Sequence, residues 1–381
     1  MTRIACLFST SGHSGVDRVA GNLIPALARR GYRVDQLKVR RHGPDLRSVP
    51  EGVRVIDLGA SSTYACLPAI VRYLRRERPA VLLSDKDKVN RTALLARRLS
   101  GAATRNCLRL GTTVSVDLAS RGAFERWLQR ASMGRLYRYA DCVIVNARGV
   151  AEDLTRYTGL PSGRIRVVPN PAVPESLFTD PQPRPDHPWL APGEPPVVLG
   201  VGELGSRKDF PTLLRAFAAL RRERPCRLII LGRGREGQRE ALLALADELG
   251  IAGDLDLPGF RPDPVAFMAH SAVLGLTSLW EGNPLVLAEA LAVGTPVAAV
   301  DGAGGTREVL ADGRYGPLVP PGDHEALARA LAATIDHPLP PERLREAARP
   351  FAIETSTDAY LDAMGLPRRA ADPTPRPGSE E

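Results

Sequence analysis

The sequence predicts an α/β protein of two Rossmann-like halves, each a doubly wound parallel sheet. Three observations carry this. Short apolar strand-like runs alternate with amphipathic helical runs along most of the chain, the pattern of βα units and parallel pairing. One proline-rich stretch, residues 173–196, breaks the alternation. The length of 381 residues suffices for two cores of ordinary size.

In the first half, residues 1–172, positions 4–9 form a strand. Residues 18–30 carry Val19, Leu23, Ile24 and Leu27 at helical spacing and stop at Gly31. Strands are expected at 34–39, 80–84, 105–110, 142–145 and 165–168. Helices are expected at 67–76, 90–99 and 123–139. Residues 173–196 hold too many prolines for a helix or central strand and read as an interdomain linker. The second half, residues 197–350, repeats the pattern. Strands are expected at 197–201, 227–231, 255–257, 272–276 and 296–300. Helices are expected at 211–224, 236–249, 264–270 and from Pro284. A helix within 354–366 completes the first half, and a tail from 367 to 381 reads as disordered.

The hydrophobic share of 44% and charged share of 25% are those of a soluble globular protein. No apolar run approaches the ~18–20 residues of a membrane span. The opening residues read as a strand and loop, not a secretory signal. Cys6, Cys66, Cys107, Cys142 and Cys226 are scattered and never form Cys-x-x-Cys. They point to reduced core thiols in a cytoplasmic protein rather than a zinc site. The net charge of +8 is uneven. Up to position 180 there are 30 basic against 15 acidic residues; beyond it, 21 against 28. An anionic membrane surface or phosphorylated acceptor fits the basic half, and so does a plain preference for Arg over Lys with no partner implied. Nucleic acid fits poorly, because the basic residues are dispersed and few aromatics interleave them.

Ligands of doubly wound sheets bind beyond the carboxyl ends of the strands, so a cleft between the halves and the strand-end loops are where chemistry is expected. After the first strand comes a small-residue loop with His13 and Gly15, able to approach a phosphate. After the strand at 197–201 comes Gly202-Glu-Leu-Gly-Ser-Arg207-Lys208, two cations before a helix. Gly259-Phe260 follows a short strand and offers main-chain groups to a base. Then comes Glu281-Gly282-Asn283-Pro284-Leu285-Val-Leu-Ala-Glu289. Its helix start points backbone N–H groups at an anion. Glu289 is a lone carboxylate in an apolar run, costly to bury unless hydroxyls or other donors satisfy it. A Gly304-Gly305-Thr306 turn with Glu308 follows.

These loops, in this order, resemble the retaining nucleotide-sugar glycosyltransferases of family 4 (the glycosyl transferases group 1 type), which have the two-domain GT-B fold. The resemblance covers roughly residues 1–365 and is densest from Gly200 to Asp323. It implies that Lys208, with Arg207, neutralises the donor diphosphate and that Glu281 contacts the transferred sugar. Gly282, Asn283, Pro284 and Leu285 would line the phosphate, Glu289 would bind the ribose diol, Gly259 and Phe260 would meet the base, and Gly15 would let the first half close on the diphosphate. It further implies a UDP-sugar or GDP-sugar as co-substrate, no other cofactor, and a cell-envelope glycan or lipid-linked acceptor. Two departures stand out. Many relatives have Arg where this chain has Glu203, and often His near Gly111. His13, Arg109 and Thr112 are the acceptor-side candidates in its place.

With no evident nucleophile, front-face substitution is expected, in which stabilising the leaving diphosphate is the main catalytic task. No metal is expected: Asp85-Lys86-Asp87 has Asp-x-Asp spacing but reads as an acceptor-site or surface turn. The helix at 123–139 mixes Phe124, Trp127 and Leu128 with arginines; a packed helix with a solvated arginine face is weighed against one lying on an anionic membrane. The protein is expected in the cytoplasm; the second reading of this helix would make it peripheral on the inner face of the membrane. The rival functions are a GT-B nucleotide-sugar epimerase and a non-catalytic nucleotide-sugar-binding protein.

Overall fold

The computed structural model describes residues 1–10, 15–40, 42–46, 48–118 and 121–370. The chain forms two compact units, Met1–Ala172 with Ile353–Glu381, and Val173–Ala352.

In the first unit β1 (Arg3–Leu7), β2 (Arg33–Lys38), β3 (Val53–Asp57), β4 (Val81–Asp85), β5 (Arg105–Leu110), β6 (Cys142–Val145) and β7 (Ile165–Val167) form one parallel sheet. Its order is β3-β2-β1-β4-β5-β6-β7. β4 and β6 are buried along their whole length, as expected where helices cover both sheet faces. Helix Gly15–Arg29 turns Val19, Leu23, Ile24 and Leu27 inward, and Gly31 ends it at φ 71°. Helix Ile353–Met364 inserts Tyr360, Leu361 and Met364 into the same core as Ile4 and Cys6. Each buried residue of this size contributes roughly 1.5–3 kcal/mol. Arg30 fixes the helix by pairing with Glu354 and, at 2.9 Å, with Asp358.

Besides the short helix Val114–Asp117, a strand and a helix here were not expected. β3 is an edge strand, mostly solvated, so Arg54 and Asp57 hide its periodicity. Helix Arg148–Thr158 has only Val150 and Leu154 as buried apolar anchors. The tail also differs from expectation at its start. The Tyr32 hydroxyl donates to the Pro367 carbonyl at 2.5 Å, and Arg369 lies 4.3 Å from the Tyr32 ring centre. Residues 371–381 lie outside the described residues. All five cysteines are buried thiols.

In the second unit β8 (Val197–Val201), β9 (Arg227–Leu231), β10 (Leu255–Gly259), β11 (Val273–Leu276), β13 (Val297–Val300) and β15 (Leu318–Val319) form a sheet. Its order is β10-β9-β8-β11-β13-β15. Two short strands, β12 (Trp280–Glu281) and β14 (Ala303–Gly304), pair separately. Helix Phe210–Glu223 packs Phe210, Leu213, Leu214 and Phe217 with Val198, Leu228 and Ile230 of the sheet. Helices His324–Asp336 and Pro341–Ala348 lie outside the elements expected above. The first carried a signal, Asp323 capping the Ala326 N–H at 2.9 Å before Leu327 and Leu331.

Residues 173–196, read as a linker, pack onto this unit instead. Phe178, His187 and Leu190 are buried, and His187 Nε2 lies 2.9 Å from Asp256. Prolines keep the segment out of a sheet, but they do not prevent apolar side chains from docking.

Candidate functional site

The densest chemistry lies where β8, β11 and β13, three neighbours in the second sheet, end. Main-chain bonds stitch their loops together. The Leu279 N–H donates to the Arg207 carbonyl at 2.9 Å, and the Thr277 hydroxyl to the Lys208 carbonyl at 2.6 Å. On the other side the Ala303 N–H donates to Leu279 and the Gly305 N–H to Glu281, at 2.9 and 3.0 Å. The loops approach closely enough that only glycine fits at the contacts. A Cβ on Gly304 would stand 1.7 Å from the Glu281 carbonyl oxygen, and one on Gly202 would stand 2.4 Å from Lys208 Cε. Lys208 therefore lies along a bare backbone that aims its amine.

That amine meets a carboxylate. Lys208 Nζ donates to Glu281 Oε1 at 2.7 Å. Arg207 Nη1 reaches the same oxygen at 2.5 Å, and the Ser278 hydroxyl donates to it at 3.1 Å. Lys208 is only 7% exposed. Burial pushes the Glu281 carboxyl up, but the Lys208 and Arg207 charges and the hydrogen bonds outweigh it and hold it below its usual range. Two cations on one carboxylate leave one positive charge in a largely desolvated site, which favours an incoming anion. Glu203 is exposed, and the lysine and arginine point to Glu281.

Helix Leu285–Ala292 begins directly after this cluster. Pro284 is its N-cap and no side chain caps it. Gly282, Asn283 and Pro284 are buried and Leu285 is half-buried. Glu289, in the second turn, is 1% exposed among Leu287, Ala288, Ala290 and Leu291. Nearby in the sheet order, Gly259 ends β10 at φ 80°, and its carbonyl accepts from the Gly232 N–H at 2.9 Å. That carbonyl is committed within the protein. Phe260 stands exposed with the Arg233 guanidinium 5.1 Å from its ring centre.

The first-unit candidates fare differently. Gly15 is the exposed first residue of its helix, and Thr112 is exposed. His13 lies outside the described residues. Arg109 is not an acceptor-facing group: it is 2% exposed and fully engaged. It pairs with Asp85, donates to Asn170 at 2.5 Å and to the Tyr360 hydroxyl at 2.8 Å. Burial works against its charge, but Asp85 and Tyr360 outweigh that and hold it more firmly protonated than usual. Nothing local in the sequence announces Asn170 or Tyr360, the latter 251 positions away. In the turn Asp85-Lys86-Asp87 Lys86 is exposed, but both carboxylates are committed within the fold. Asp85 is taken by Arg109; Asp87 accepts from Tyr137 and Gln129, both at 3.0 Å, and pairs with Arg91 at 2.8 Å. Burial pushes the Asp87 carboxyl up despite those partners.

Among the described residues no three His, Cys, Asp or Glu side chains gather as metal ligands. Among them too, no helix is long and apolar enough to cross a membrane.

Two parallel doubly wound units, one with a cationic loop cluster and helix start at its strand ends, are the architecture of GT-B glycosyltransferases. The chain belongs to the group 1 glycosyltransferases. Residues 183–351 match the family model "Glycosyl transferases group 1", and residues 14–171 match "Glycosyl transferase 4-like domain". Group 1 is what these matches support; the family 4 label is looser. A similar protein is the lipopolysaccharide core biosynthesis glycosyltransferase LpsE of Rhizobium meliloti, 30% identical over 92% of this chain and 95% of that one. Another is the Campylobacter jejuni N-acetylgalactosamine-N,N'-diacetylbacillosaminyl-diphospho-undecaprenol 4-alpha-N-acetylgalactosaminyltransferase, 28% identical over 68% of this chain and 67% of that one. Among solved structures, Anabaena Alr3699/HepE in complex with UDP has a similar fold. It aligns with a TM-score of 0.75 at 18% identity, over 96% of this chain and 100% of that one.

Proposed function

We propose that this glycosyltransferase moves a hexose or N-acetylhexosamine, with retention, from a nucleotide diphosphate sugar to a cell-envelope glycan or lipid-linked acceptor. The observation that carries the reading is the shared Glu281 oxygen: Lys208 and Arg207 both hold it, at 2.7 and 2.5 Å, directly before the Glu289 helix. A diphosphate arriving there meets two cations and the helix start, and Glu281, once relieved of its pairs, turns to sugar hydroxyls. Glu289 accepts from the ribose diol and the exposed Phe260 meets the base.

In the transfer step the acceptor oxygen bonds to the anomeric carbon on the face the diphosphate leaves. The carbon–phosphate-oxygen bond breaks, and the acceptor proton passes to the departing diphosphate. Lys208 and Arg207 stabilise the charge that develops. The reaction is expected to run fully in excess chelator.

The UDP-glucose complex of the Anabaena neighbour supports uracil as the base, with guanine second. The lipopolysaccharide and undecaprenol acceptors in the relatives' names support a lipid-carried acceptor. Such an acceptor puts the enzyme in the cytoplasm, at the inner face of the membrane. A thermal-shift panel of UDP-, GDP- and ADP-sugars tests the reading, since a bound donor raises Tm by mass action. A selective rise with UDP-sugars is expected; no rise with any of them overturns it.

A further inference from the structure

We propose that Glu281 is an internal competitor for the anion site. It holds Lys208 and Arg207 until a sugar-bearing diphosphate displaces it, and it returns to them to expel the bare nucleotide left after transfer. This rests on the function proposed above and adds a discrimination to it, between a nucleotide that carries a sugar and one that does not. Three donors meet one oxygen of the carboxylate: Lys208 Nζ at 2.7 Å, Arg207 Nη1 at 2.5 Å and the Ser278 hydroxyl at 3.1 Å. Among the described residues no other carboxylate pairs with either cation. An anion that is to use both must therefore take them from Glu281. The Glu281 and Lys208 side chains are buried, so water screens them little, and a carboxylate left in place would repel the newcomer.

The exchange of partners falls to side chains, because the backbone on both sides is tied. Trp280–Glu281 pairs with Ala303–Gly304, and the Gly305 N–H donates to the Glu281 carbonyl at 3.0 Å. The Arg207 carbonyl is held by the Leu279 N–H at 2.9 Å. The Arg207 side chain is 37% exposed, which leaves an open side for an anion to approach. Once turned from its cations, Glu281 is a desolvated carboxylate and needs other donors. The hydroxyls of a sugar supply them. A bare nucleoside diphosphate has no sugar beyond its phosphates, so Glu281 keeps its claim on Lys208 and Arg207. The same charge therefore admits the donor and drives out the spent nucleotide.

The experiment is calorimetry of the full chain at neutral pH with UDP, UDP-glucose and inorganic pyrophosphate, which carries the charge without base or sugar. Glu281→Gln is expected to bind UDP and pyrophosphate roughly 10–100-fold more tightly than the parent, the worth of one hydrogen bond to a charged group. UDP-glucose should gain less, because the sugar loses its charged acceptor. In stopped flow UDP should leave the variant more slowly than the parent. Glu281→Ala is expected to share the gain for pyrophosphate, so the result does not hang on one variant. Damage to the fold weakens ligands, so tighter binding cannot come from a merely structural role. If both variants bind UDP and pyrophosphate no more tightly than the parent, the competitor is overturned, while a parent that binds UDP-glucose keeps the donor reading. Equal gains for UDP and UDP-glucose overturn the discrimination. Tighter pyrophosphate in the variants, with no UDP or UDP-glucose bound by the parent, upholds the competitor and overturns the nucleotide-sugar reading instead.

Discussion

Each unit keeps a buried ion cluster near the ends of its parallel strands, and the two clusters are built to different rules. In the first unit one cation, Arg109, meets one carboxylate, Asp85, and two neutral partners, Asn170 and Tyr360. Charge is balanced and the guanidinium is spread over partners on β4, on the segment before Ala172 and on the returning helix. In the second unit two cations, Lys208 and Arg207, crowd one oxygen of one carboxylate, and Arg207 is partly exposed. Charge is unbalanced by one, beside a helix start without a side-chain cap. The first arrangement holds the fold together. The second is short of negative charge, which suits the anion site proposed for it. A buried ion pair therefore does not by itself mark a site; charge imbalance and exposure do.

The largest expected effect falls on the balanced cluster. Arg109→Ala leaves Asp85 buried without its cation and should cost about 3–5 kcal/mol in urea unfolding. A loss near zero would mean that the cluster is not what joins the returning helix to the sheet. Lys208→Ala should do the reverse. Turnover falls roughly 10²–10³-fold, while stability drops less than for Arg109→Ala, because Glu281 keeps Arg207. Steady-state kinetics beside a urea curve reads both numbers; an unchanged rate would show that Arg207 and the helix start suffice. Glu289→Ala is expected to weaken nucleotide binding by about 1.5–3 kcal/mol with the fold intact. Normal affinity by calorimetry would remove the ribose assignment.

The smallest effect is one of pH. The folded Glu281 carboxyl titrates below its usual range. Its contribution is thus full above the ordinary glutamate value of about 4.3 and is lost as pH falls through the depressed folded value. In Glu281→Gln the acid limb of the stability curve should flatten; an acid limb identical to the parent's would mean that the pairing with Lys208 and Arg207 adds nothing in solution.

Much of the cationic loop cluster was legible because its residues sit in local patterns. Arg207 and Lys208 are adjacent, and Glu281 to Glu289 lie in one loop and helix. The strands at 142–145, 197–201 and 227–231 were legible for a similar reason, since a strand buried on both faces is apolar along most of its length. β3 was not, because an edge strand is half solvated. Arg109 was misread because an arginine at a strand end looks the same in sequence whether it faces solvent or a tyrosine 251 residues away. The helix at 123–139 shows the same limit: its apolar residues suit a core as well as a surface, and only their exposure separates the two.

By itself the sequence determined the α/β class, the two halves, and the order of the glycine, basic and glutamate loops, since these depend on periodicity and neighbouring residues. The tertiary structure decided which charges share an atom. It brought Lys208, 73 positions away, and its neighbour Arg207 to one Glu281 oxygen and closed Arg109 inside the first unit. Burial and pairing are properties of the whole packed chain, and no local stretch of residues encodes them.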